Sequence, residues 1–221
     1  MAARENLDYY LEKNLQMYSD YIVNNINFSH IKYGDGEIEC MKGSIGENAD
    51  HCKYTKELGD ALKKSLIELS KIDSVYFADW YYSNPPINAH DFPNKTYYDS
   101  LIKDLNIKFI QSFELIMMGY GNMERPYLFN FYRTIKEINR KKMYICPTKL
   151  NEIKDIFKID EIVNIPLFNA FNEYEKTLNE VLPKLEDNMI IILSVGMQSP
   201  VLALDMLNHN PNITILDMGS G

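Results

Sequence analysis

The sequence is short of cysteine, histidine and positive charge, and each shortage removes a class of function. The three cysteines, Cys40, Cys52 and Cys146, are odd in number and irregularly spaced. They match no zinc-ligand spacing and no disulfide framework, and they point to a reducing, cytoplasmic compartment. His51-Cys52 is adjacent but has no second half. His30 and His90 have no spaced partners and take no role. Lysine and arginine total 23 against 31 aspartates and glutamates, a formal net charge of -8. A chain that binds nucleic acid nonspecifically shows a basic footprint, so a nucleic-acid partner is not expected. No run approaches the roughly 20 apolar residues of a membrane span, and the polar, charged N-terminus is no signal peptide. Internal repeats and low-complexity tracts are also missing.

What is present is a chain of 221 residues that is 46% hydrophobic. That suits a single domain over residues 1–221 with a full core, led by a helical segment over residues 1–27. The abrupt end at Gly221, just after an expected core strand, is compatible with a domain cut from a longer protein. Leu7, Tyr10, Leu11, Leu15, Tyr18 and Ile22 recur at helical spacing in the leading segment. Short β-branched runs then alternate with helical patterns. Strands are expected near Phe28–Tyr33, Ser74–Ala78, Lys142–Cys146, Glu161–Ile165, Met189–Ser194 and Ile213–Asp217. Helices are expected near Glu37–Lys42, Lys56–Lys71, Tyr97–Leu105, Pro126–Asn139, Thr148–Phe157, Tyr174–Leu185 and Gln198–Leu207. The segment Lys108–Met118 reads as a strand or as a strand followed by a helix. This alternation predicts an α/β fold: a Rossmann-like, mostly parallel sheet with helices on both faces.

In such a sheet ligands gather where strands end. The richest exit is Lys32-Tyr33-Gly34-Asp35-Gly36-Glu37. Two carboxylates on a glycine-rich backbone suit a hard divalent cation carrying a phosphate ligand. They converge if the segment is a turn leaving a strand, and Gly-Asp-Gly equally reads as an ordinary structural turn. Asp79 closes a second expected strand and precedes Trp80-Tyr81-Tyr82, an aromatic cluster suited to a sugar ring. A carboxylate there fits the base that deprotonates an acceptor hydroxyl, and fits equally a cap on the next turn. Gly196-Met197-Gln198-Ser199 leads from a strand into a helix, where backbone N–H groups suit a phosphate or ribose.

These motifs, in this order, resemble the GT-D glycosyltransferases, a family once catalogued as a domain of unknown function. Lys32–Glu37 resembles the family's Arg-Tyr/Phe-Gly-Asp-Gly-Glu signature, with lysine replacing the arginine. Glu124-Arg125-Pro126 is similar to its Thr-Arg-Pro element. Ile191–Gly196 and the following helix are similar to its late strand and nucleotide-side helix. Ile215-Leu216-Asp217-Met218-Gly219 resembles its terminal Ile-Asp-Ile-Gly-His, with Ser220 standing where the family has histidine.

The resemblance implies transfer of a sugar from a nucleoside diphosphate donor, most simply a UDP-sugar, to a glycan or glycoconjugate hydroxyl. It implies Mn²⁺ or Mg²⁺ at Asp35 and Glu37. Lys32, Tyr33, Gly34, Gly36, Arg125, Gly196, Gln198, Ser199 and Asp217 would line the donor side. Asp79 or Glu124 would do acid/base work at the acceptor. Two other readings stand beside it. Ile213–Gly221 resembles the glycine-rich motif of methyltransferases that use S-adenosylmethionine. Ser220 in place of histidine also leaves room for a non-catalytic sugar-nucleotide or glycan-binding domain.

Overall fold

The computed structural model describes residues 2–48, 51–79, 94–110 and 126–219, with side chains from residue 11 onward and without that of Asp79. Six strands form one sheet: β1 (Ser29–Tyr33), β2 (Val75–Asp79), β3 (Lys142–Pro147), β4 (Glu161–Ile165), β5 (Ile190–Leu193) and β6 (Thr214–Asp217). Their order across the sheet is β2-β1-β6-β5-β3-β4, and every pair is parallel. All six strands therefore end at the same edge.

The sequence explains why this sheet is covered on both faces. Strand side chains alternate. In β5, Ile191 and Leu193 join one core and Ile190 and Ile192 the other. In β3, Met143 and Ile145 face the first core while Tyr144 and Cys146 face the second. The helices are α1 (Ala2–Val23), α2 (Asp35–Lys42), α3 (Lys56–Leu69), α4 (Lys95–Ile102), α5 (Pro126–Glu137), α6 (Ile153–Phe157), α7 (Tyr174–Val181) and α8 (Ser199–His209). Leu58, Leu62, Leu66 and Leu69 of α3 pack on the first core with α2, α7 and α8. Leu11, Leu15, Tyr18 and Ile22 of α1 cover the second face beside Leu128, Phe131 and Ile135 of α5.

The expected elements form with small shifts at their ends. The helix expected over Thr148–Phe157 is instead a 3₁₀ turn at Thr148–Leu150 followed by the short α6. The helix expected to reach Leu185 changes to a 3₁₀ turn at Leu182–Lys184, where Pro183 cannot donate the α-helical bond. Phe109 makes an isolated parallel bridge to Phe77, and residues 111–118 of the ambiguous segment lie outside the described residues. Among the described residues, no helix is long and apolar enough to cross a membrane.

Candidate active site

The exit of β1 differs from its sequence expectation. Gly34-Asp35-Gly36-Glu37 is the first turn of α2, which begins at Asp35, two residues earlier than expected. Successive helical residues are turned by about 100°, so side chains two apart point apart. Asp35 is exposed, and its Oδ1 accepts from the Gly36 N–H at 3.0 Å. Glu37 is buried at 5% exposure, and its Oε2 accepts from the Gly34 N–H at 2.8 Å. The two carboxylates do not converge as a turn would allow. Glu37 supplies one half of a capping box, and Gly34 has no side chain to return the other half. A Cβ on Gly34 would lie 2.9 Å from Glu37 Oε2, so the cap requires glycine there.

The exit of β6 lies beside it. Asp217 is 2% exposed, and both its oxygens serve the fold. Oδ2 accepts from the Lys32 N–H at 3.1 Å and Oδ1 from the Gly219 N–H at 3.1 Å. Asp217 thus ties β6 to β1 at the edge where Asp35 begins its helix. Burial pushes the Glu37 and Asp217 carboxyls above the usual range. The Lys32 ammonium is the strongest opposing influence on both, and the Asp217 charge raises Glu37 further.

The exit of β5 completes the cluster. Gly196 has φ +64, a backbone conformation that favours glycine. The chain then makes a 3₁₀ turn at Gly196–Gln198 and enters α8 at Ser199 with Pro200 in its first turn. A Cβ on Gly36 would lie 3.4 Å from Met197 Sδ and 3.0 Å from Asn48 Cβ, so this turn and the start of α2 are packed together. Gln198 and Ser199 are each 2% exposed. Among the described residues, neither polar atom of the Gln198 amide, nor the Ser199 hydroxyl, has a hydrogen-bond partner of good geometry. Ser199 is still near enough to Asp217 to favour its charged form. A buried polar group left without a partner costs about 1–3 kcal/mol.

Residues 30–220 match the profile of the family described as "Glycosyltransferase GT-D fold". The chain belongs to the GT-D glycosyltransferase family. Two solved structures share the GT-D fold. One is described as "A New Glycosyltransferase (DUF1792) from Streptococcus sanguinis", at 18% identity and TM-score 0.63, covering 93% of this chain and 79% of that one. The other is a selenomethionine structure of domain of unknown function 1792, at 19% identity and TM-score 0.60, covering 96% and 82%. No curated protein matches the sequence. GT-D membership displaces the methyltransferase reading of Ile213–Gly221. In that segment both Asp217 oxygens are already taken by backbone N–H groups.

The remaining expected GT-D site residues divide clearly. Asp79 ends β2 directly across from Tyr33, so its backbone reaches the same edge. Its side chain, together with Trp80-Tyr81-Tyr82, Glu124, Arg125 and Ser220, lies outside the described residues. Tyr33 is a core residue rather than a lining one. It is fully buried, its hydroxyl meets Ser65 Oγ at 2.8 Å, and its ring stacks on Phe77. Strand alternation turns it inward. Asn48 was not legible as a site residue, because it sits in a loop with no motif around it.

Among the described residues, no three ligating side chains gather to hold an ion. A divalent cation on a diphosphate does not need such a cage. Mg²⁺ usually keeps several waters and takes one or two carboxylates plus phosphate oxygens. The exposed carboxylate of Asp35 fits that restricted demand.

Proposed function

We propose that this glycosyltransferase is metal-dependent and moves a sugar from a UDP-sugar to a glycan or glycoconjugate hydroxyl. One observation carries the reading. An exposed Asp35, two buried carboxylates and an unpartnered Gln198–Ser199 pair gather at one edge of a parallel sheet, between the starts of two helices.

In the transfer, the bond from the anomeric carbon to the diphosphate oxygen breaks. A bond from that carbon to the acceptor oxygen forms, the electron pair leaves with the nucleoside diphosphate, and the acceptor proton must be removed. Asp35 would hold Mn²⁺ or Mg²⁺, while the buried Glu37, turned inward to cap the Gly34 N–H, would position the helix start that presents Asp35 rather than ligate the ion. The ion, when bound, would neutralise charge on the departing diphosphate as a Lewis acid. The positive ends of the α2 and α8 helix dipoles favour negative charge at the same place. Gly36 and Gly196 allow the backbone to come close, and Gln198 and Ser199 would find partners on the donor. Lys32 and Arg125 would add positive charge, Lys32 as a point charge rather than a bidentate fork. Asp217 holds the edge together. Asp79, beside Trp80-Tyr81-Tyr82 in sequence, is assigned to the acceptor as base, with Glu124 as the second candidate. Cys40, Cys52 and Cys146, which form no disulfide among the described residues, suit a cytoplasmic setting.

The test is a thermal-shift panel of sugar nucleotides and S-adenosylmethionine, with and without Mn²⁺, followed by assay of nucleoside diphosphate release. One UDP-sugar should stabilise the protein by about 2.7 kcal/mol at 100 times its Kd, only with metal. A response to S-adenosylmethionine alone would overturn the reading. Donor binding with no transfer to any acceptor would leave a binding domain in place of an enzyme.

A further inference from the structure

The polar face of α2 continues beyond Asp35. Side chains four apart on a helix lie one above the other, with a rise of about 6 Å between them. Glu39 therefore follows Asp35 on the same face, and it is half-buried. We propose that Glu39, aimed by Asn94 and flanked by Tyr54, is the subsite for the acceptor sugar. The proposal rests on the glycosyltransferase reading above.

The carboxylate of Glu39 is held in one orientation. Ser44 Oγ donates to its Oε2 and Asn94 Nδ2 to its Oε1, and each oxygen keeps a second lone pair for a ligand hydroxyl. Asn94 is 3% exposed and stands at the N-cap of α4, yet its side chain makes no cap to that helix. An asparagine at this position ordinarily accepts from its own first turn, a stabilising bond forgone here. Its Oδ1 instead accepts from Lys42 Nζ at 2.6 Å. The Tyr97 hydroxyl donates to the Met41 carbonyl at 2.8 Å, so the first turn of α4 is locked to the last turn of α2.

Tyr54 adds an aromatic surface. Its N–H donates to the Gly46 carbonyl at 2.9 Å, and a Cβ on Gly46 would lie 3.8 Å from its ring. The next residue, Thr55, caps α3 by accepting from the Leu58 N–H, and its carbonyl accepts from Cys40 Sγ of α2. The half-buried ring is thus fixed from both sides against α2. Burial pushes its phenol up to about 12, and the Asp35 and Glu39 charges add to the rise. Tyr54 therefore stays a hydrogen-bond donor at neutral pH.

A carboxylate, a phenol and a ring face are what a sugar needs, since its hydroxyls donate and accept and its C–H faces stack. Two carboxylates on one face repel a second phosphate, so the ligand beside the cation is an uncharged polyol. One turn of helix is about the width of a sugar ring, which sets an acceptor held at Glu39 next to a donor held at Asp35. The approach is also divided. The donor turn leaves β5 on one side of β1, while α4 is reached from β2 on the other.

The test uses the wild-type protein, Glu39→Gln and Tyr54→Phe, each loaded with UDP and Mn²⁺. The methyl glycosides of glucose, galactose and N-acetylglucosamine are titrated in and followed by saturation-transfer NMR, with UDP affinity measured alongside by calorimetry. At least one glycoside should bind the wild type. Glu39→Gln should weaken it about tenfold and Tyr54→Phe about threefold, with UDP affinity unaltered in both. A wild type that binds UDP but no glycoside, or variants with unchanged glycoside affinity, overturns the subsite and leaves the donor reading standing. Glycoside and UDP affinities that fall together assign these residues to the donor instead, and also overturn it. Should Glu39→Gln unfold, Tyr54→Phe decides alone, because it keeps the ring and its packing. If UDP does not bind at all, the donor reading fails and the subsite falls with it.

Discussion

The two ends of the sheet bury charge in opposite ways. At the amino end, Arg140 is 7% exposed, and burial pushes its pKa down to about 10. Its guanidinium donates to the Asn188 carbonyl at 2.6 Å, Asn27 Oδ1 at 2.7 Å and Thr214 Oγ1 at 2.9 Å. One nitrogen, Nη1, is left over. At the carboxyl end, Glu37 and Asp217 are buried near the Lys32 ammonium, and among the described residues the Gln198 amide has no hydrogen-bond partner. The first end is largely satisfied within the fold and holds β6 to the loops around it. The second leaves the Gln198 amide unsatisfied by the described residues. Conformational economy is thus spent at one edge and polar groups are stored at the other, as expected where stability and binding are divided along a parallel sheet.

Substitutions can break this division. The largest expected effect is at the carboxyl end. Asp35→Asn keeps size and the capacity to accept from Gly36 but removes the charge. Loss of a comparable electrostatic contact lowers turnover by about 10²–10³. The melting temperature of the ligand-free protein should stay near wild type, because Asp35 is exposed. Full turnover by Asp35→Asn would remove this residue from the metal site. Arg140→Ala should do the reverse. It leaves Thr214, Asn27 and the Asn188 carbonyl short of a donor, at a cost of about 3 kcal/mol read by urea unfolding. Turnover per folded molecule should be unchanged, and a matching fall in turnover would show that the two ends are not independent.

Much of this arrangement was legible in the sequence, for identifiable reasons. The strands of β3 to β6 are short apolar runs between helical patterns, and they form close to where their residues predict. The parallel sheet follows from that alternation. The site was legible at its landmarks, because glycine-flanked carboxylates at strand exits are unusual enough to stand out. Their geometry was not. Whether Gly34-Asp35-Gly36-Glu37 forms a turn or starts a helix depends on what packs over Gly36, and that is Met197 and Asn48, far away in sequence. Glu37 is buried, which no local pattern around it indicates. The Glu39–Asn94–Tyr54 patch has no motif at all, since α2, the start of α4 and the loop before α3 each supply one residue.

A smaller effect should separate the ends by pH. His30 in β1 is fully enclosed, with its Nδ1 3.0 Å from the Tyr18 hydroxyl. Burial, with the nearby Lys32 charge adding to it, pushes its pKa from 6.5 down to about 3. Above pH 6.5 neither the folded nor the unfolded chain binds this proton, so His30 contributes nothing there. Below pH 6.5 only the unfolded chain takes it up, and stability falls as pH falls toward 3. The linkage amounts to about 2 kcal/mol at pH 5. Glu37 and Asp217 act with the opposite sign, because their folded pKa values are raised and lowering the pH relieves the cost of burying their charge. The comparison is therefore made against His30→Gln, which keeps both acids. From pH 7 to pH 5 the unfolding free energy of the wild type should fall by about 2 kcal/mol relative to that of the variant. Equal slopes would mean that His30 is not buried neutral.

The finest test concerns the orphaned amide. Gln198→Met keeps the length of the side chain and removes both polar atoms that lack partners. If the amide exists for the fold, the change should be neutral or destabilising, since nothing is gained by replacing a satisfied group. If it is stored for a ligand, the ligand-free protein should become more stable by about 1 kcal/mol, because an unpaired buried polar group is replaced by an apolar one. Donor binding should weaken at the same time, by roughly tenfold for one lost hydrogen-bonding group. Neither half suffices alone, since a stabilising core change can leave binding untouched and a binding change can come from local unfolding. Chemical denaturation of the ligand-free variant and calorimetric titration of the donor give the two numbers. A stability gain paired with weaker binding marks Gln198 as part of the site, and a loss of stability with unchanged binding returns it to the fold.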